Sequence, residues 1–226
     1  ASTYQTLNCL DFTISGANVT LTSVAGPPNI FIYGSFSIAS TTVWNATQII
    51  GNFVATTTGK TINSNGVTVN FNNIIFNGAG GGWTLSGAFT VGTTRTITLT
   101  AGALDIAGFT LSTGLFSSNN SNTRSIAFGA GFIALTSTVS ATTVLQMSTL
   151  TNFSSTGTGG FSSATNVTKT FSSGFTAGGS QTTGPNMFVT AGTLVVTLNG
   201  TSWWNTLSFV GSTSTVNATG SPTLVH

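Results

Sequence analysis

Side chains able to carry out chemistry are scarce in this 226-residue chain. The formally charged residues are Asp11, Asp105, Lys60, Arg95, Arg124 and Lys169; there is no Glu, one histidine, His226, and one cysteine, Cys9. Each familiar kind of site can therefore be tested by naming its members. Glycosidic or lyase chemistry needs paired carboxylates, or a carboxylate with cationic helpers, a few ångströms apart. Asp11 and Asp105 stand in distant parts of the sequence. Asp105, in Leu104-Asp105-Ile106, is expected to be a solvent-facing strand residue and Asp11 a turn or cap partner. A Ser-His-Asp triad would have to recruit His226 at the terminus, where fraying defeats close geometry. Thr58-Gly59-Lys60-Thr61 matches the end of a phosphate loop, yet Val54 stands where that motif needs Gly and no helical pattern follows. Gly78-Ala79-Gly80-Gly81-Gly82 lacks the strand-to-helix setting of a dinucleotide fingerprint and reads as a tight turn or bulge. One His, one Cys and two Asp make no zinc donor set. A single cysteine closes no intramolecular disulfide, so Cys9 reads as a small buried hydrophobe. The expectation is a chain that is not an enzyme and takes no cofactor or metal.

Aromatic residues offer a different chemistry, that of contact. In Ser202-Trp203-Trp204-Asn205-Thr206-Leu207-Ser208-Phe209, strand alternation groups Trp203 with Leu207 and Phe209 and sends Trp204 to the side of Thr206 and Ser208. An indole on the polar side can plug a neighbouring subunit or stack on a sugar ring, so Trp204 and Trp203 are the candidate interface or glycan contacts. Trp44 and Trp83 are assigned to the core or an interface. Asn-X-Ser/Thr sequons occur at Asn18, Asn45, Asn119, Asn152, Asn166, Asn199 and Asn217. With 20 Asn and 74 Ser or Thr, random placement accounts for their number, and it carries no argument for glycosylation.

The elements that must position these residues follow from composition. Charged residues make up 3% of the chain, against about 25% in ordinary soluble domains. Helical bundles, coiled coils and charged disordered tails all need the Lys, Glu and Arg that are missing. Hydrophobic residues amount to 39%, with 17 Phe, enough to bury a core. The net charge of +2 rests on four cations scattered through different parts of the chain, which argues against nucleic acid, whose phosphates are met by clustered Lys and Arg. No apolar run is long enough to span a bilayer as a helix, and the first residues have neither the basic nor the apolar part of a signal peptide. The chain is therefore expected to be soluble and not membrane-inserted.

The recurrent unit is an apolar-polar-apolar triplet closed by Gly, Ser, Thr or Asn. Phe12-Thr13-Ile14, Phe36-Ser37-Ile38, Trp83-Thr84-Leu85, Ile97-Thr98-Leu99 and Ile126-Ala127-Phe128 are examples. Period two with β-branched and aromatic filling is the strand signal, and the intervening Gly and Asn are turn chemistry. Strands this short, separated only by a corner, suit a β-solenoid whose coils stack in parallel register with apolar residues inside. Coils of about 20 residues rising about 4.8 Å each would give about eleven coils and a rod of about 50 Å. Triplet starts recur at irregular spacing, and a jelly-roll β-sandwich is the alternative fold. Residues 1–226 are taken as a single all-β domain, with possible subdivisions near 60 and 140.

The stretches Asn77–Val91, Arg95–Leu111 and Phe116–Gly129, with Lys169–Gly174 and Ser202–Phe209 in the same style, resemble the Gly/Thr/Ser-rich β-repeat regions of bacteriophage virion and tail-fibre proteins and of bacterial surface adhesins. The resemblance covers residues 65 to 215. It implies a stalk-like architecture and transfers no catalytic residue. An almost uncharged surface also lacks the Lys and Glu that usually protect strand edges, so the edges are expected to be covered by copies of the chain or by other assembly proteins. The expected function is that of a structural, non-catalytic component of an extracellular or virion assembly, with attachment to host-surface glycan as an adhesive role. The alternative is a subunit of a secreted filament or adhesin assembled by strand complementation.

Overall fold

The computed structural model describes residues 5–23, 27–139, 142–147, 149, 151–163, 169–173, 186–189, 195–199, 206–210 and 215–219. Every regular element among them is a strand. Every pairing between these strands is parallel. A jelly roll is built from antiparallel pairs, so that alternative is excluded and the fold is a β-solenoid. The triplets become strands: Phe12–Ile14 and Phe36–Ile38 coincide with theirs, and Thr142–Met147, whose Thr and Val content leans toward strand, is a strand.

The strands stack in three main ladders, the second of which ends among the described residues at Phe153–Thr156, while Thr20–Thr22 and Val43–Asn45 form a separate short pair. In the first, Thr6 pairs with Asn29, Asn29 with Ile50, Ile50 with Asn73 and Asn73 with Thr96, so the coil length stays nearly constant over these steps. The next steps change abruptly: the coil from Thr96 to its partner Leu115 is shorter than any before it, and the one from Phe116 to Leu145 is longer. Most coils are longer than the sequence pattern suggests, and the chain completes fewer of them. The spare residues sit in the corners, because register must be kept within a ladder while a loop between ladders is free to lengthen. At Asn65-Gly66, with φ of 48° and 81°, two left-handed residues turn the chain in minimal space.

Side chains of one parity point inward and stack rung on rung. Phe36 pairs with Phe12 and with Ile62, and Ile62 with Leu85, on the second ladder. Phe89, Leu111, Ile133, Phe161 and Met187 line up on the third. Phe36, Phe53, Phe71, Phe76 and Trp83 are all buried, and fully burying each such side chain stabilises the fold by about 2 to 3 kcal/mol before entropy is counted. Trp44 and Trp83 lie in this core, as expected.

Candidate functional site

The corner between the first and second ladders is where the backbone is most unusual. Asn73–Leu85 and Thr96–Asp105 are continuous strands that pass through it, pairing with one ladder at their starts and with the next at their ends. Their mutual register slips between Leu99 and Ala101 and again between Ala101 and Ala103, the bulge anticipated for the glycine run. Gly102 has φ of 92°, and a Cβ there would lie 2.5 Å from the Gly78 carbonyl oxygen, so no other residue fits without movement.

Just past this corner the outward-facing residues are small on successive rungs: Ala103 pairs with Ser125 and Ser125 with Ser154, with Gly80, Gly81 and Gly102 beside them. The result is an open trough of about 270 Å³ running along the solenoid axis, walled by Thr58, Thr123 and Asn152. Hydroxyls and a carboxamide are suited to hydrogen bonding, and no carboxylate, imidazole or thiol is among the residues lining it. The trough can hold a ligand but presents no group of the usual proton-transfer kind.

Arg124 also lines the trough, and it is only 2% exposed. Its guanidinium uses all five of its N–H donors. Nε donates to Ser118 Oγ at 2.7 Å; Nη1 donates to the carbonyls of Asn122 and Thr151, and Nη2 to those of Ser118 and Thr149. The Phe153 ring lies 5.4 Å from the guanidinium carbon. None of these partners is a carboxylate, so the positive charge is solvated by dipoles alone, and burial lowers the pKa of the group. Arg124 ties the corner of its own coil to that of the next. Sequence reasoning, which saw isolated cations, missed it; the one signal was the carbonyl-rich, acid-free run Asn119-Asn120-Ser121-Asn122-Thr123 immediately before it.

Asp11 and Asp105 are not brought together. Register along the second ladder places them four rungs apart, about 19 Å. Asp11 Oδ1 accepts the Ser35 N–H at 2.6 Å and Asp105 Oδ1 accepts the Ala107 N–H at 2.8 Å, both turn-capping contacts. Lys60 and Thr61 begin a strand, Lys60–Asn63, which disposes of the phosphate-loop match. Cys9 is half-buried against the core, and burial together with nearby Asp11 raises its thiol pKa. Trp203 and Trp204 lie outside the described residues. No group of three or more His, Cys, Asp or Glu able to hold a metal occurs among the described residues, and no helix there is long and apolar enough to cross a membrane. No family model matches the chain, and no curated protein or solved structure matches it either.

Proposed function

We propose that the protein is a structural, non-catalytic component of an extracellular or virion assembly, of the kind found in phage tails, fibres or capsid surfaces, whose role is mechanical and adhesive. The observation that carries this reading is the outer edge of the first coil, which no described strand covers. Among the described residues, Thr6–Cys9, Phe12–Ile14 and Thr20–Thr22 each pair on one side only. Leu7, whose ladder partner Ile30 is buried, stands 50% exposed there, and Leu10 is 70% exposed. Unpaired backbone groups beside apolar side chains, with no Lys or Glu to repel a neighbour, form a template for another parallel strand. In an assembly this edge is covered by a strand from another copy or from an adjoining protein. The same edge supports the second reading, a secreted filament built by strand donation.

The test is light scattering and electron microscopy of the purified chain beside Leu7→Lys and Asn8→Lys variants. Concentration-dependent association, reduced by either lysine, is the expected result. A chain that stays monomeric at high concentration, with or without the lysines, overturns the reading. Imaging of native-source material then separates its two forms: density within phage-like particles supports the virion component, and continuous filaments without capsids support the filament subunit.

A further inference from the structure

From the trough beside the first corner, we infer a binding site for an acidic glycan, a linear oligosaccharide bearing carboxylate or sulfate groups that lies along the solenoid axis. It deepens the adhesive part of the function proposed above and rests on that reading only for where the glycan comes from.

Shape is the first observation. The floor Ala103, Ser125 and Ser154 spans two rung spacings, about 10 Å, long enough for a short stretch of a glycan chain. The trough is open and shallow, which suits a polymer passing through more than a compact small molecule. Its lining is the second. Thr58, Thr123 and Asn152 are exposed along the sides, and their groups donate and accept in the way a hydroxyl-rich ligand requires. Over Ala103 and Ser125 an extended peptide is disfavoured, because their strands are paired on both sides; Phe153–Thr156, which carries Ser154, pairs on one side only among the described residues.

Charge is the third observation and selects the class of glycan. Arg124 forms part of the lining, and its contacts in the fold are neutral oxygens and a ring face. Its donors are occupied, so it offers the ligand a field rather than a hydrogen bond, and because the ligand's own charges are exposed in the open trough, salt screens that attraction. By register the carboxylate of Asp105 belongs to the preceding rung and lies further along it than the position facing Arg124. Arg124 is the charged side chain in the trough's lining, and we take it to set the sign of the field there, which favours an anionic sugar over a neutral one.

The experiment measures binding of a short polyuronate by the purified full chain, by calorimetry, beside a neutral oligosaccharide of equal length and a polyglutamate peptide. Saturable polyuronate binding that weakens with salt is expected, with the neutral sugar and the peptide binding less tightly. Ser154→Asp should weaken the polyuronate about tenfold and Ser154→Lys should strengthen it. Ser125→Leu, which fills the floor on an outward-facing position, should abolish binding while leaving the circular dichroism melt unchanged. No binding by the wild type, equal binding of the neutral sugar, tighter binding of the peptide, or indifference to Ser125→Leu each overturns the inference. Because the ligand is soluble and the readout is stoichiometric binding, these outcomes are distinguishable from failure of the assembly reading, which is read by self-association.

Discussion

The stack up to Ile106 and the stack that follows it meet the same burial problem with different residues. In the first, Phe36 lies within 5.4 to 6.2 Å, ring centre to ring centre, of Phe12, Trp44, Phe53, Phe71 and Phe89, and Phe76 bridges Phe53 and Trp83. In the second, Phe161 touches only Phe116 and Phe128 among the rings described, and Thr113, Ser118, Arg124, Ser137 and Ser163 are buried beside apolar neighbours. Several of these polar residues are bonded to backbone carbonyls, mostly of adjacent rungs: Thr113 Oγ1 to Arg95 and Leu115, Ser118 Oγ to Leu99, Ser163 Oγ to Leu135. Both stacks bury an apolar core and some polar side chains; the first is richer in interlocking rings and the second in buried polar groups that stitch rung to rung. The change coincides with the point where the coil length becomes irregular, from Thr96 and Phe116 onward. Longer corners expose more unpaired carbonyls, and buried hydroxyls and a guanidinium satisfy them.

The largest effect should come from breaking the ring cluster. Phe36→Ala removes a fully buried ring from the centre of five contacts and is expected to cost about 4 kcal/mol, a fall in melting temperature of about 12 °C. Phe161→Ala, with fewer ring partners, should cost less. Equal losses in urea unfolding would mean that the two stacks are not held differently.

Arg124→Met comes next and probes the stitched stack. It leaves the carbonyls of Ser118, Asn122, Thr149 and Thr151 without their donor, at a cost of about 3 kcal/mol. Amide exchange should accelerate locally at residues 118–124 and 151–156, with the ring-rich stack unchanged. Arg124→Lys should recover little of the loss, because an ammonium cannot reproduce the planar fork. Full stability in both variants would show that the staple contributes nothing.

How much of this was legible in the sequence depends on which spacing carries the information. The strands were, because Phe36-Ser37-Ile38 or Ile97-Thr98-Leu99 states its own period in three consecutive positions. The parallel stack was the preferred reading of short strands separated only by a corner, but the same triplets also fitted a jelly roll, and only the pairing decides between them. The coil repeat was not legible, since steps as unequal as Thr96 to Leu115 and Phe116 to Leu145 erase any fixed period. The trough was hidden for the same reason: Ala103, Ser125 and Ser154 become neighbours only through register, each a whole coil of different length from the next. Arg124 was not singled out because a lone cation without an acidic partner is ordinarily solvated, whereas here the loop's own carbonyls take the place of water.

A pair of glycine substitutions sharpens the contrast between a crowded corner and an open one. Gly66 has φ of 81° and a Cβ would meet nothing within 4 Å, whereas Gly102 combines φ of 92° with the Gly78 carbonyl and the Trp83 ring. Gly66→Ala should cost about 1 kcal/mol for the left-handed backbone alone, and Gly102→Ala about 2 kcal/mol or more because the corner must also open. Parallel thermal melts measure the difference; identical losses would mean that the close approach at Gly102 relaxes freely and that the corner is not rigid.

The smallest expected effect compares the first described coil of the solenoid with its interior. Cys9 is on the first rung, its thiol 3.6 Å from the Phe31 carbonyl and its pKa raised, first by burial and then by Asp11. A raised pKa in the folded state means that the unfolded chain releases the thiol proton first as pH rises. Stability from this group is therefore complete below the ordinary thiol range and declines as pH climbs through it. The melting temperature of the wild type should fall more between pH 7 and pH 10, roughly the window bracketing the ordinary thiol pKa, than that of Cys9→Ser. Alkylation of Cys9 should likewise be slower than that of a free thiol at the same pH. Parallel pH profiles with fast alkylation would mean that the first rung opens readily in solution and that the solenoid frays from this edge.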